Sequence, residues 1–265
     1  MSETRPAPRS VIITGSSSGI GRVMALAFAR AGGRVLIHGT SRDRARMVAA
    51  EIRAAGGAAE WLTGDVCEPA TAEALVTRAV EAFGGVDVFI ANAGAVKMGP
   101  FLDYSLADFR ASMDINLTGA FLGCQAAARR MVEQGRGGCI LTVSSVGAHM
   151  GQFGFAGYGT AKAAVLGLTR VMAVELARHQ ITVNALVPGP VMNDMLVGVY
   201  GEERLAQRKK TIPLGRLAEA EDVAEMALFL ASPAASYITG QQFVLDGGAS
   251  AAGIFTIEVL RRAEP

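Results

Sequence analysis

Short hydrophobic runs alternate with longer amphipathic stretches along most of this chain. The runs are nearly continuous in apolar residues, which is typical of strands buried on both faces of a parallel sheet. They predict strands at residues 11–13, 34–37, 60–62, 86–90, 140–143, 181–187 and 243–245. The stretches between them predict helices at residues 20–31, 43–54, 70–83, 106–134, 159–178 and 219–231.

This alternation of strands and helices indicates successive βαβ units. We therefore expect an α/β fold, a Rossmann-type doubly wound sheet of about seven parallel strands in a single domain. Right-handed crossovers would bring the carboxyl ends of the first, fourth, fifth and sixth strands to one edge, where ligands bind in open α/β sheets.

Charge and composition narrow the functional classes. The chain has 265 residues, with 25 Lys and Arg against 24 Asp and Glu, so no charge excess points to a nucleic acid or an anionic membrane as partner. No apolar stretch approaches the roughly 20 residues of a membrane span, and residues 1–10 lack the apolar core of a secretory signal. We expect a cytoplasmic protein.

The Cys and His residues of the sequence do not have the spacing of metal ligands. Its three cysteines, Cys67, Cys124 and Cys139, are widely spaced, so reduced thiols are expected rather than a disulfide or a zinc site. His38, His149 and His179 also lack partners at ligand spacing. We predict no metal site.

A glycine-rich segment links the first predicted strand to the first predicted helix. Gly15 suits a tight turn, Gly19 lets a pyrophosphate approach the backbone, and Gly21 allows close packing of helix and strand. The helix N-terminus that follows offers unpaired N–H groups to an anion. No Lys follows the last glycine, which argues against the phosphate loop of nucleotide hydrolases.

Three residues after the fifth predicted strand suit proton transfer. Tyr158 and Lys162 lie four positions apart, so on a helix they share one face. A nearby cation favours the phenolate and makes tyrosine a better acid-base group at neutral pH. Ser145 could hold a carbonyl or alcohol oxygen within reach of the phenol. Ser144 competes for this role, although its spacing to Tyr158 is one residue longer.

Together these segments resemble the classical short-chain dehydrogenases/reductases over roughly residues 10–248. Ser145, Tyr158 and Lys162 match the catalytic residues of that family, and Asn116 matches the Asn that completes the tetrad. The resemblance implies that Tyr158 exchanges the proton, that Ser145 binds the substrate oxygen, and that Lys162 acts on the pKa of Tyr158 and on the cofactor ribose. Asn116 would orient a water that relays protons to Lys162, or it is a structural residue of its helix.

The resemblance also implies a set of cofactor contacts at the strand ends. These are Gly15, Ser17, Ser18, Gly19, Ile20, Gly21, Thr40, Ser41, Arg42, Asp65, Val66, Asn92, Ala93, Gly94, Tyr158, Lys162, Pro188, Gly189, Val191 and Asn193. By the same resemblance, residues 1–10 form a polar extension, residues 11–248 the dinucleotide-binding and catalytic domain, and residues 249–265 a C-terminal tail.

Cofactor preference depends on the end of the second predicted strand. Relatives that prefer NAD usually carry an Asp near Gly39, where its carboxylate accepts from the ribose 2′-OH and repels a 2′-phosphate. Thr40, Ser41 and Arg42 can instead bond a phosphate, so we expect NADP(H) to be favoured over NAD(H). Ser18 argues against this preference, because many NADP-using relatives have a basic residue at the corresponding position.

The sequence leaves the substrate and some of the function open. The expected reaction interconverts a ketone and a secondary alcohol, on a neutral and partly apolar small molecule; the alternatives are a 3-oxoacyl-carrier-protein reductase and a non-catalytic dinucleotide-binding sensor or scaffold. The chain is similar both to those carrier-protein reductases and to sugar or polyol dehydrogenases. Arg129, Arg130 and Arg136 would dock an acidic carrier protein, or are solvated charges.

Relatives of this kind assemble as homotetramers. Their paired long helices, here residues 106–134 and 159–178, form one interface, and the final helix and strand form another. The tail carries an apolar cluster of Ile254, Phe255, Ile257, Val259 and Leu260. An exposed cluster would favour aggregation, so we expect it to pack on a neighbouring subunit or the substrate cleft, unless the terminus is frayed.

Overall fold

The fold is built on one parallel sheet. The computed structural model describes residues 9–192, 205 and 209–252. Its seven strands follow the order β3-β2-β1-β4-β5-β6-β7. They are β1 (Ser10–Ile13), β2 (Arg34–Gly39), β3 (Ala58–Thr63), β4 (Val88–Ala91), β5 (Gly138–Val143), β6 (Ile181–Pro188) and β7 (Gln242–Leu245). All neighbouring pairs are parallel, which confirms the predicted doubly wound α/β fold.

Helices cover both faces of the sheet. The α-helices of the described chain are α1 (Gly19–Arg30), α2 (Arg42–Ala54), α3 (Pro69–Phe83), α4 (Leu106–Met113), α5 (Gly119–Gln134), α6 (Ala156–Leu176) and α7 (Ala220–Leu230). Short 3-10 helices lie at Phe101–Asp103, Val146–Ala148, Ala177–His179 and Pro233–Ala235. In the part of the chain that the structure describes, no helix has the length and apolar character of a bilayer span.

The strand residues alternate between two core layers. Val11 and Ile13 of β1 belong to a cluster with buried side chains of α1, α2 and α7. Ile12, between them, belongs to the opposite cluster with α3, α5 and α6. Because successive strand residues point to opposite faces, a continuous apolar run fills both layers at once. This explains why the strands carry no polar alternation.

One predicted helix contains a π segment. Residues 106–134 are helical throughout, as predicted, but Asp114–Thr118 forms a π-helix between α4 and α5. Asn116 lies in it and donates from Nδ2 to the carbonyl oxygen of Ser112, at 3.0 Å. In an α-helix that carbonyl would accept the backbone N–H of residue 116. The side chain therefore competes with the regular helical bond, and π segments of this kind are frequent at functional sites.

The connections after six of the strands, β1 to β6, carry the predicted site residues. Parallel strands place their carboxyl ends at one edge, so these six connections all begin there. Asn193, the extension up to residue 8 and the apolar cluster of the tail lie outside the described residues. Their expected roles stay predictions.

Candidate active site

The Ser, Tyr and Lys come from two neighbouring elements. Ser145 follows β5 directly, while Tyr158 and Lys162 lie one turn apart near the start of α6. Ser145 and Tyr158 flank the backbone of Gly147: a Cβ built there would lie 3.5 Å from Ser145 Oγ and 3.9 Å from Tyr158 Cε1. Phe155 packs edge-on against the Tyr158 ring, with 5.8 Å between centroids. The hydroxyl of Ser145 and the phenol ring of Tyr158 therefore both lie close to Gly147.

The two adjacent serines have different surroundings. Ser144 is buried and its Oγ donates to the backbone carbonyl of Lys162 at 2.8 Å. Ser145 is half-buried, and its Oγ accepts from the backbone N–H of Gly147 at 3.2 Å. That bond leaves the Ser145 hydroxyl hydrogen for another acceptor. The geometry therefore favours Ser145 as the residue that holds a substrate oxygen.

Lys162 is a buried cation. Its side chain is 3% exposed, and Nζ donates to the carbonyl oxygen of Val143 at 2.8 Å. Nζ also lies 5.6 Å from the centroid of the Tyr158 ring. Burial lowers the pKa of Lys162 from 10.5 to about 8 because desolvation disfavours the ammonium. At neutral pH the side chain is still mostly protonated, so a positive charge lies beside the phenol.

Asn116 is fixed by its amide group. Nδ2 donates to the carbonyl of Ala95 at 2.9 Å in addition to its bond to Ser112. Its Oδ1 accepts from the backbone N–H of Ala95 at 3.3 Å. A Cβ built on Gly94 would lie 2.7 Å from this Oδ1 and 3.3 Å from Lys162 Nζ. The bare Gly94 therefore faces both polar groups, and Asn116 has a structural role whether or not it also relays protons.

The glycine loop suits a dinucleotide phosphate. At Gly19, where φ is +54°, no described atom lies within 4 Å of the position that a Cβ would take. In the described chain the side chain of Ser18 makes no capping bond, so the first-turn N–H groups of α1 remain for an anion. At Gly21 a Cβ would lie 2.5 Å from both Gly15 O and Asn92 Nδ2, so only glycine allows this close packing. The loop thus fits the predicted pyrophosphate site.

Thr14 and Asn92 lock this loop to the end of β4. Thr14 Oγ1 accepts from the backbone N–H groups of Asn92 and Ala93, each at 3.0 Å. Asn92 Nδ2 donates back to the Thr14 carbonyl at 2.9 Å. These bonds attach the glycine loop to the end of β4. The resemblance to the family places the cofactor loop at residues 14–21, but the bonds made by the Thr14 side chain do not follow from it.

The end of β2 contains the residues expected to choose the cofactor. Ser41 caps α2, since its Oγ accepts from the backbone N–H of Arg44 at 3.5 Å. The Arg42 guanidinium lies over the Trp61 ring, 5.6 Å from its centroid. A Cβ on Gly39 would lie 2.1 Å from Ser17 Oγ. Ser17 therefore occupies the space that the Cβ of any side chain at position 39 would need.

The other predicted contacts also lie at the sheet edge. After β3, Asp65 Oδ1 accepts from the backbone N–H of Cys67 at 2.9 Å, which lowers the pKa of the Asp65 carboxyl. After β6, Gly189 donates its N–H to Leu245 O at 2.9 Å. A Cβ on Gly189 would lie 2.8 Å from the Cβ of Asp246. Of this set, Asn193 alone lies outside the described residues.

His38 joins two loops of the candidate site and was not among the predicted site residues. Its ring bonds both the backbone N–H of Gly15 in the glycine loop and the carbonyl of Gly64 in the loop after β3. The available signal was a polar residue inside the apolar run of β2. Among the described residues, no cluster of His, Cys, Asp and Glu is arranged to hold a metal ion.

The arginines considered for carrier docking each have an acidic neighbour. Arg129 lies 3.9 Å from Glu73, Arg130 lies 3.4 Å from Glu133, and Arg136 lies 2.8 Å from Asp87. Such pairs reduce the local positive charge. The geometry favours solvated surface charges over a basic docking patch.

Comparison with known proteins agrees with this geometry. A family model described as enoyl-(acyl carrier protein) reductase matches residues 15–250. L-rhamnose 1-dehydrogenase (NAD(P)(+)) from Azotobacter vinelandii is 42% identical, over 91% of this chain and 96% of its own. 3-oxoacyl-[acyl-carrier-protein] reductase from Synechocystis sp. is 40% identical, over 89% and 95% respectively. The structure of gluconate 5-dehydrogenase from Burkholderia cenocepacia, in complex with NADP and tartrate, is similar with a TM-score of 0.88 at 32% identity, covering 94% of this chain and 98% of that chain.

Proposed function

This chain belongs to the classical short-chain dehydrogenase/reductase family, and we propose that it interconverts a ketone and a secondary alcohol with Tyr158 as general acid and base. Membership makes it an NAD(P)-dependent oxidoreductase that acts on CH–OH donors. The observation that carries the proposed mechanism is the buried ammonium of Lys162, 5.6 Å from the Tyr158 ring centroid, on the helix that faces Ser145.

The cofactor supplies a hydride that reduces the carbonyl carbon when NAD(P)H is bound. The residues that would hold its phosphates are the open first turn of α1 and the bare Gly19. Tyr158 and Lys162 would bind the nicotinamide ribose, and Pro188, Gly189, Val191 and Asn193 would border the nicotinamide. Asp65, Val66, Asn92, Ala93 and Gly94 would contact the adenosine side and the ribose.

The protein itself handles the proton. In reduction, the Ser145 hydroxyl donates a hydrogen bond to the carbonyl oxygen and holds it beside the phenol of Tyr158, which transfers its proton to that oxygen. The ammonium of Lys162 stabilises the phenolate that remains, because an opposite charge favours the ionised form. Oxidation of the alcohol runs through the same groups in reverse, with the phenolate as base.

NADP(H) is the proposed preferred cofactor. Support comes from the absence of a carboxylate at Gly39, whose space Ser17 occupies, and from the Arg42 guanidinium at the start of α2. A guanidinium recognises a phosphate through charge-assisted hydrogen bonds. The similar gluconate 5-dehydrogenase was solved with NADP, and the similar L-rhamnose dehydrogenase is named for both cofactors.

A small polyol or sugar-like carbonyl compound is the proposed substrate class. Two similar proteins are named as dehydrogenases of L-rhamnose and gluconate. The 3-oxoacyl-carrier-protein reductase function is the second candidate, favoured by the similarity to the Synechocystis enzyme. The ion pairs of Arg129, Arg130 and Arg136 weigh against it, because an acidic carrier needs unpaired positive charge.

We also propose a cytoplasmic homotetramer. The outer face of α5 and α6 exposes Phe121, Val132, Val171 and Val174, and the α7–β7 edge exposes Phe229 and Val244. Apolar side chains grouped on two helix and strand surfaces suit two isologous interfaces.

Tyr158→Phe tests the proposed function. The variant should lose roughly 10² to 10⁴ in kcat, because only the proton donor is removed. Its Kd for NADPH should rise at most about tenfold, as for the loss of one hydrogen bond to the ribose. The measurements are NADPH absorbance with a panel of sugars, polyols and ketones, and cofactor titration by fluorescence. Tyr237→Phe, at a fully exposed tyrosine, is the matched control. Near-wild-type kcat in Tyr158→Phe would contradict the assignment, and turnover of no panel substrate by the wild type would favour the non-catalytic sensor.

A further inference from the structure

We propose that His38 is a positioning residue for the adenosine half of the cofactor site, and that its protonation weakens cofactor binding. The inference rests on the proposed function, since it assigns a role within the same dinucleotide site. The observation behind it is one imidazole that bonds two separate loops at the sheet edge.

The two hydrogen bonds define the tautomer and the protonation state of the His38 ring. Nδ1 of His38 lies 3.3 Å from the backbone nitrogen of Gly15, and that N–H can only donate. Nδ1 is therefore the acceptor and carries no proton. Nε2 lies 3.2 Å from the carbonyl oxygen of Gly64, which can only accept, so Nε2 carries the proton. Both bonds form together only in the neutral Nε2–H tautomer.

The backbone of the same residue adds two further bonds. The N–H of His38 donates to Ser16 Oγ at 3.0 Å, and its carbonyl accepts from the N–H of Ser17 at 3.2 Å. His38 thus contacts three consecutive residues of the glycine loop through its side chain and main chain. The main-chain bonds persist in any substitution, whereas the ring bonds depend on histidine.

The loops that it joins border the same ligand. Gly15 begins the loop proposed to hold the pyrophosphate, and Gly64 directly precedes Asp65 and Val66, the pair proposed to contact adenine. By linking Gly15 to Gly64, the ring sets the spacing between these two sides of the pocket. Gly64 N also donates to Gly39 O, at 3.4 Å, so the cross-link continues a ladder between β2 and β3.

Protonation of the ring would break this link. A proton on Nδ1 would face the N–H of Gly15, donor against donor. His38 is 2% exposed, and burial lowers its pKa below 6.5, opposed by the bond to Gly64 and by the charge of Asp65. Among the described residues, Asp65 is the charged group that acts on the ring. The neutral form therefore prevails at neutral pH, and the link is lost as pH falls through the lowered pKa.

The test measures NADH affinity against pH. NADH is chosen because it lacks the 2′-phosphate, whose own ionisation near pH ~6 would overlap. Kd is measured by fluorescence from pH 8 to pH 5 for the wild type, His38→Asn and His38→Leu, with circular dichroism at each pH to verify folding. Asn does not ionise and its Oδ1 can still accept from Gly15. His179→Asn, in the turn after α6, is the matched control.

We expect the wild-type and His179→Asn Kd to rise roughly 3- to 10-fold on acidification, as for the loss of one or two hydrogen bonds. His38→Asn should show a flat profile over the same range. His38→Leu should bind weakly at every pH, with a raised KM for the cofactor and a nearly unchanged kcat. If the wild-type Kd for NADH does not change with pH, or changes equally in wild type and His38→Asn, the inference about His38 is overturned while the proposed function stands. Failure of the wild type to bind NADH and NADPH at pH 8 would overturn the proposed function together with it.

Discussion

Nζ of Lys162 donates a 2.8 Å hydrogen bond to the carbonyl oxygen of Val143, the last residue of β5. The backbone carbonyl of Lys162 in turn accepts from Ser144 Oγ at 2.8 Å. Two bonds therefore attach the start of α6 to the end of β5, and one of them is made by the buried cation itself. Burial of this ammonium, which is proposed to assist Tyr158, removes its hydration and therefore lowers the free energy of unfolding.

That cost predicts a pH-dependent stability. The pKa of Lys162 is about 8 in the folded protein, against an ordinary value of 10.5. Between these two pH values the unfolded chain binds one proton more than the folded protein, so stability rises with pH. Below pH 8 both states are protonated and the full cost of roughly 3 kcal/mol remains. At pH 7, Lys162→Met should therefore have a larger free energy of unfolding than the wild type. This difference should shrink by roughly 3 kcal/mol between pH 7 and pH 11.

Urea unfolding of both proteins at a series of pH values measures this difference, because the titration of all other groups cancels in the comparison. Lys162→Met should also be inactive at every pH. A difference in unfolding free energy that stays constant from pH 7 to pH 11 would contradict the buried-cation account.

Arg42→Ala should impair binding of NADPH selectively. If the guanidinium pairs with the 2′-phosphate, its loss should weaken NADPH binding by roughly 1.5 to 3 kcal/mol and leave NADH little changed. Kd for both cofactors is measured by fluorescence titration. Arg46→Ala, at an exposed position of the same helix, is the control and should affect neither. Equal losses for both cofactors, or a native preference for NADH, would refute the proposed role.

Gly39→Asp should fail to convert the cofactor preference by itself. A Cβ at position 39 would lie 2.1 Å from Ser17 Oγ and 2.7 Å from Ser17 Cβ, so the single change should weaken both cofactors. In Gly39→Asp combined with Ser17→Gly, the carboxylate has room to accept from the ribose 2′-OH and to repel a 2′-phosphate. The ratio of KM values should then favour NADH, compared with Ser17→Gly alone. A single variant that already prefers NADH, with intact affinity, would show that Ser17 imposes no constraint.

Val174→Asp should disrupt one proposed interface. Val174 is 80% exposed on α6, and a charge there would be buried unpaired between subunits. Light scattering should show a dimer where the wild type is a tetramer. Met47→Asp, at a residue 64% exposed on α2, should leave the assembly unchanged. A tetrameric Val174→Asp would exclude this face as an interface.

The sheet and much of the candidate site can be predicted from local patterns in the sequence. The seven strands follow from apolar runs, because burial on both faces leaves no room for polar alternation. The glycine loop and the one-turn separation of Tyr158 and Lys162 are local patterns, so their geometry follows once a strand or helix forms. Their meeting at one edge follows from the parallel order of the strands.

The contacts between distant segments cannot be predicted in this way and are seen first in the folded structure. The ring of His38 reaches Gly15, 23 positions away, and Gly64, 26 positions away, through bonds that no local pattern signals. Asn116 bonds the carbonyl of Ala95, 21 positions earlier, and Lys162 has a lowered pKa because its burial removes it from water. Periodicity reports which face of an element is buried, whereas the partner of a polar group depends on how the elements pack.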